Sequence, residues 1–289
     1  MKNKKSKIII PAMGLILLST AASISGSVAW FSANRTVTAG GMKVKAVAEE
    51  GILISDTDKT AWTDTANAKV TSADLFPTST AGTTTPTWAH NNSANADDAG
   101  ANASAGSYQD LTLAWSASTY GVGYIDSDES GAFNSGDSAY VLLNEFYIKS
   151  SGNAITLGAE ETFKDLYIQQ VQATSAASWL KIDNSLRVLV VVGSSSYIYA
   201  PVKDQASGTT TLSYKFKNTT DVTALDATVA AGQNKTTSTT SLGNTDVSAL
   251  KAQVYVYFEG EDANCKSTNI SGIDTNYLTV TVKFGLTTI

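Results

Sequence analysis

The chain has 289 residues, with 26 acidic against 20 basic side chains and a formal charge of −6, a balance that repels phosphate backbones and argues against nucleic acid as a partner. A single cysteine, Cys265, excludes an internal disulfide framework and any multi-cysteine metal site, and a single histidine, His90, excludes HExxH peptidases and three-histidine zinc sites. Low charge, four prolines and an abundance of Thr, Ser, Ala, Gly, Val and Tyr suit β structure better than helix bundles.

The N-terminus is built for export. Lys2, Lys4, Lys5 and Lys7 form a basic region without acids, and an apolar stretch from Ile8 through Ala22 follows. Small residues then lead to Ser27-Val28-Ala29, which fits a signal-peptidase site. Residues 1–29 are therefore expected to be a signal peptide, with Thr20-Ala21-Ala22 as a second cleavage option and a retained membrane anchor as the competing reading. On the first reading the protein is secreted, to the extracellular space or cell surface, and meets a membrane only before cleavage. No later apolar tail and no LPxTG-like sorting signal is present, so contacts with other proteins would have to hold it at a surface.

From residue 30 onward, period-2 alternation dominates. Val37 and Ala39 share one parity, and Met42, Val44, Ala46 and Ala48 share the other, with Gly40-Gly41 at the phase change. Ser55–Gln109 is dense in Thr, Ser, Ala, Asn and Asp and reads as a long polar excursion. His90, inside it, reads as a solvated loop residue. Leu111, Leu113 and Trp115 alternate with polar or small residues, and Tyr140, Leu142, Phe146 and Ile148 form a further strand. Short helices are expected at Ala159–Asp165 and Ala176–Ile182. Leu186 to Val192 is apolar on both faces and reads as a central strand.

Leu212, Tyr214 and Phe216 follow, then a second polar excursion over Asn218–Val247. The chain closes with two alternating runs, Leu250 to Phe258 and Leu278 to Phe284. Glu259, Glu261 and Asp262 between them read as a solvated strand-end turn. About eight to ten strands without a crossover helix point to an all-β fold: one antiparallel β-sandwich domain over residues 30–289, jelly-roll-like, with few short helices.

Chemistry is sparse. Asp126-Ser127-Asp128-Glu129-Ser130-Gly131-Ala132-Phe133-Asn134-Ser135-Gly136-Asp137 places oxygen ligands at the positions of a Ca²⁺ loop, with glycine at the sixth. Asp126, Asp128, Ser130, the Ala132 carbonyl, Asn134 and Asp137 would form the set. Asp137 is shorter than the usual bidentate Glu and the flanks read as strand, so a plain acidic hairpin loop is the competing reading. No cofactor is otherwise implied, and no catalytic constellation is evident, so an enzyme is not expected. The five tryptophans and twelve tyrosines sit mostly at strand parity, which suits packing better than a glycan-binding strip.

At the signal junction, Ser27-Val28-Ala29-Trp30-Phe31-Ser32 followed by Thr36-Val37-Thr38-Ala39-Gly40-Gly41-Met42-Lys43-Val44 resembles the TasA/camelysin family of secreted Firmicutes proteins. The match ends near Val44. The resemblance implies a jelly-roll sandwich, cleavage just before Trp30, and assembly into biofilm-matrix fibres in which an N-terminal segment adds as a strand to a neighbouring subunit. It also implies that the partner is the same chain, together with other matrix or surface proteins. Trp30, Phe31, Val37 and Ala39 would then be interaction residues on an extended arm, Trp30–Ala39, suited to another sheet's edge. The metallopeptidase activity described for camelysin-like members is not carried over, since no second histidine supports it. Three readings remain: a structural fibre subunit, a monomeric glycan- or surface-binding module, and a secreted hydrolase.

Overall fold

The computed structural model describes residues 37–39, 43–48, 51–70, 73–80, 82–91, 108–117, 121–127, 129–134, 137–157, 163–175, 181–200, 211–213, 221–224, 241–260, 262, 265 and 278–288. In chain order the strands are β1 (Val37–Ala39), β2 (Lys43–Ala48), β3 (Ile52–Asp56), β4 (Thr65–Asn67), β5 (Ala73–Leu75), β6 (Ser79–Thr80) and β7 (Trp88–Asn91). Next come β8 (Tyr108–Leu111), β9 (Ala114–Trp115), β10 (Gly121–Ile125), β11 (Ser138–Ser150), β12 (Ile155–Thr156) and β13 (Phe163–Ser175). A 3-10 helix, Lys181–Ser185, precedes β14 (Leu186–Val192). The last strands are β15 (Ser195–Ala200), β16 (Thr211–Ser213), β17 (Asp221–Ala224), β18 (Ser241–Leu242), β19 (Leu250–Phe258) and β20 (Leu278–Thr288).

The protein is all-β, as the alternation implied. The large sheet runs β1-β5-β11-β19-β14-β15-β17-β16, with β10 and β3 also paired to β11, and β9 beyond β10. A second sheet runs β13-β20-β2-β4. Most pairings are antiparallel; β11–β5, β15–β17 and β2–β20 are parallel. Where β14 turns into β15, Gly193 at φ 60° opens a two-residue loop, the first-position left-handed geometry that a II′ hairpin turn reserves for glycine.

One face of each sheet meets the other across the main core. Leu142, Phe146 and Ile148 of β11, Val188 and Val190 of β14 and Val254 and Val256 of β19 pack with Ile168 and Val171 of β13, Val280, Val282 and Phe284 of β20 and Val44 of β2. This is the sandwich expected from period-2 alternation. Every residue of β14 is buried, which alternation against a single core cannot explain. The opposite face of the large sheet is covered as well.

The cover is the three-stranded sheet β6-β7-β8. Trp88 of β7, 4% exposed, packs with Tyr140, Val141, Leu143, Leu189, Val191, Tyr255 and Tyr257 in a second core. Its ring lies edge-on to Tyr257 at 5.1 Å and tilted against Tyr255 at 5.8 Å, both favourable aromatic geometries. Phe76 stacks tilted on Tyr140 at 5.6 Å, and Trp115 meets Tyr255 edge-on at 6.2 Å.

Ser55–Gln109 is therefore more than surface decoration. Its described residues carry β4 to β7 and the start of β8, with Leu75 fully buried. The low apolar content misleads because a covering layer needs only a few large side chains when the sheet beneath supplies the rest of the core. In Asn218–Val247 the described residues include β17 and β18, and Leu242 is buried in the main core. Of the two expected short helices, Phe163–Asp165 begins β13, Lys181 and Ile182 open the 3-10 helix, and the other residues lie outside the described ones.

If the cover sheet completes a core, Trp88→Ala should destabilise the fold by about 3–5 kcal/mol, measured as a lower urea midpoint. A cost near zero would show that β6–β8 is dispensable.

Candidate functional site

The expected arm is only partly within reach. Trp30 and Phe31 lie outside the described residues. Val37 and Ala39 belong to β1, at the end of the large sheet's strand order. There they pair antiparallel with β5 of the same chain, Val37 opposite Leu75 and Ala39 opposite Ala73. The last three residues of the arm are thus docked in their own subunit instead of extended. The attachment is slight. β1 is three residues long, and β5 in turn meets β11 at Ala139–Leu75.

The acidic segment is the loop of the β10–β11 hairpin. Glu129 at φ 56° and Gly131 at φ 71° bend it through two left-handed positions. The Asp126 carboxylate accepts the backbone N–H groups of Ser130 at 3.2 Å and Gly131 at 2.8 Å. The Asp137 carboxylate accepts the Ser127 N–H at 3.0 Å, the Ser127 hydroxyl at 2.9 Å and the Asn134 N–H at 2.8 Å. Ser130 donates its hydroxyl to the Ala132 carbonyl at 3.1 Å, and the Asn134 amide reaches both that carbonyl, at 2.9 Å, and Ser130 Oγ, at 2.8 Å.

Five of the six expected Ca²⁺ ligands are thus gathered in one loop, with Asp128 outside the described residues. Their oxygens, however, are turned onto the loop's own donors. Among the described residues, no group of three or more His, Cys, Asp or Glu side chains is disposed to hold a metal ion. The N–H groups of Ser127 and then Asn134 hold the Asp137 carboxyl below its ordinary range, burial opposes this, and the Ser127 hydroxyl adds a smaller lowering. The carboxylates act as loop caps. At the loop's centre Phe133 is exposed, its ring 5.2 Å from Tyr124.

Other polar groups, read in the sequence as solvated or not singled out there, are buried or half-buried. Glu259 is 1% exposed and accepts the Ser79 hydroxyl, which ties the cover sheet to the end of β19. Asp262 accepts Arg187 Nη2 at 2.6 Å, and Arg187 Nη1 also donates to the carbonyls of Asn184 and Leu186, both at 2.9 Å. Glu259 is therefore buried and Asp262 half-buried and paired, where a solvated turn was expected; Glu261 lies outside the described residues. Arg187 stands inside the most apolar strand, and that was the available clue, since such a cation requires a partner. Burial pushes the neighbouring Cys265 thiol up to about 12, against a lowering hydrogen bond with Ser185. A thiol so placed is protonated at neutral pH and is a poor nucleophile. His90 sits in β7 opposite Gln109.

No protein-family model matches the chain, and no curated protein and no solved structure is significantly similar to it. Among the described residues no helix is long and apolar enough to cross a membrane; residues 1–29 are not among them.

The hairpin yields a pH prediction. A carboxyl whose folded value is depressed contributes stability above its unfolded value, and that contribution is lost as pH falls through the folded value. An NMR carboxyl titration should give Asp137 a midpoint below that of an unstructured reference peptide, and Asp137→Asn should remove that step from the acid limb of stability. A midpoint at or above the reference would mean that the amide caps are absent in solution.

Proposed function

We propose that this chain is an exported structural subunit, a jelly-roll-like sandwich that assembles with copies of itself into an extracellular fibre or surface matrix. The N-terminal resemblance to TasA/camelysin proteins suggests the role. The observation that carries the mechanism is the weak seating of β1: three residues at a sheet terminus, paired to a partner strand of equal length. A short edge strand near a chain terminus is the kind of element that exchanges between copies at low cost. In the assembled form, Val37–Ala39 of one copy would take the same place on β5 of its neighbour. Residues 30–36, including Trp30 and Phe31, would extend the added strand. The docked arm is then the closed monomer, and polymerisation swaps one pairing for an equivalent one between molecules. Partners are copies of the chain and, by the same resemblance, other matrix or surface proteins.

The monomeric glycan-binding reading would favour an exposed aromatic strip. Among the described residues, Trp88, Tyr124, Tyr140, Tyr199, Tyr255 and Tyr257 are buried, Trp62, Trp115, Tyr147 and Tyr197 are half-buried, and the exposed large apolar side chains are Phe133 and Val247. That favours the subunit reading.

Electron microscopy and light scattering of the secreted protein test it. Concentration-dependent polymers are expected, and deletion of residues 30–39 should abolish them. Polymers that form unchanged after the deletion, or full-length material that stays monomeric at high concentration, would end the strand-exchange mechanism.

The proposed subunit has no obligatory cofactor. In the hairpin the Asp126 and Asp137 carboxylates already bind the loop's own amides, so the loop is shaped without an ion. Thermal melts with millimolar Ca²⁺ and with chelator should therefore coincide. A higher melting temperature with Ca²⁺ would instead establish the ion site, since a ligand of the native state stabilises by mass action.

A further inference from the structure

Part of the outward face of the second sheet, across β2 and the facing residues of β20 and β13, departs from the acidic character of the chain, while Asp165 lies at the far end of β13. On β2, Val44 and Ala46 are buried, so Lys45 and Val47 face away from the core. On β20, Leu278, Val280, Val282 and Phe284 are buried, so Thr279, Thr281 and Lys283 face outward; on β13, burial of Val171 and Ala173 turns Gln172 and Thr174 the same way. Register aligns these residues across the strands. Gln172, Thr281, Lys45 and Asn67 form one row over four strands, with Lys283, Val47 and Thr65 in the next and Thr174 and Thr279 on the other side. Neighbouring strands lie about 4.8 Å apart and successive outward residues about 6.6 Å apart. No Asp or Glu occurs in these rows.

The lysines here are also unlike the others. Among basic residues whose side chains are described, Lys69, Lys149, Arg187 and Lys251 each pair with a carboxylate. Lys59 lies over the Tyr147 ring at 3.9 Å and donates to the Asp246 carbonyl. Among the described residues no carboxylate pairs with Lys45 or Lys283. In a chain with more acids than bases, two unneutralised ammonium groups on diagonal positions of one face are a local excess of positive charge.

We infer that this face binds a linear anionic polysaccharide, one bearing carboxylates on its sugar rings. The two ammonium groups supply charge complementarity to the carboxylates, while Thr279, Thr281, Gln172 and Asn67 supply donors and acceptors for ring hydroxyls. A protein partner fits less well, because stable protein interfaces centre on buried aromatic and apolar anchors and are poor in lysine, and Val47 is the one apolar side chain in the rows. Duplex DNA also fits less well, since its affinity scales with the number of phosphates neutralised and Lys45 and Lys283 offer only two ammonium groups. The inference gives the proposed matrix subunit a partner, but it does not depend on polymerisation.

The test is binding of the secreted, full-length protein to immobilised alginate, with dextran and duplex DNA as comparators. Alginate binding that weakens with added salt is expected, as is a loss of about tenfold or more in the double variant Lys45→Gln/Lys283→Gln. Lys251→Gln, on the other sheet, should bind as the parent does. Both lysines are half-buried on the outward face, and unchanged melting temperatures show that the variants are folded. Equal binding to dextran, binding confined to DNA, no salt dependence, or undiminished binding by the double variant would each overturn the inference. Light scattering on the same samples separates the two readings. Protein that binds without polymerising keeps this one and removes strand exchange, and the reverse result does the opposite.

Discussion

β14 and the adjoining half of β19, Val254–Phe258, have to be dry on both sides, and the rest of the architecture follows from that requirement. Leu186, Val188, Val190 and Val192 face the second sheet, while Leu189 and Val191 face the other way, with Tyr255 and Tyr257 alongside on β19. A two-layer sandwich would leave the second set in water. At roughly 25 cal/mol per Å² of apolar surface, that exposure is large enough to require a third layer, and β6–β8 provides it through Trp88. The same requirement governs β11. Between its pairings with β10 and β3 lies a gap at Asn144 and Glu145. On the core side, Asn144 fills it by exchanging hydrogen bonds with the Val70 backbone. On the cover side, Glu145 accepts Lys251 at 3.0 Å and Gln253 at 2.8 Å.

Much of this was legible in the sequence wherever period-2 alternation ran for more than a few residues. β2, β11, β19 and β20 fall where the alternating runs lie, and the continuous run Leu186–Val192 correctly marked a strand with two buried faces. What that run implied about the rest of the chain was harder to draw out. A strand covered twice needs a second covering layer, and the polar stretch Ser55–Gln109 supplies most of it. Propensity could not locate that layer, since β5, β6 and β7 have three, two and four residues. Their pairing is imposed by the sheet beneath and not by local preference.

The polar groups divide along the same physical line. The Asp126–Asp137 segment was legible as one acidic turn, because its residues lie close in sequence and cap one another. Whether its carboxylates serve an ion or backbone amides depends on φ angles and donor directions that residue spacing does not encode. Glu259, Asp262, Arg187 and Ser79 were not legible as a group, since Ser79 and Glu259 are 180 residues apart. Arg187 alone gave warning, as a cation in an apolar strand, and its partner could not be named from position.

The distribution of charge follows from the layers. Where the large sheet is covered on both faces, its buried ionic groups, Arg187 and Glu145, must be paired where they lie, and they are. Toward β2 and β4 the outward residues of the second sheet are half-buried or exposed, so they escape most of that constraint. Selection for folding alone would accept any soluble mixture there, acids included, in a chain whose overall excess is acidic. The rows across β13, β20, β2 and β4 instead hold threonine, glutamine, asparagine and lysine without a carboxylate. Folding does not require that bias, so the face points to a requirement outside the fold.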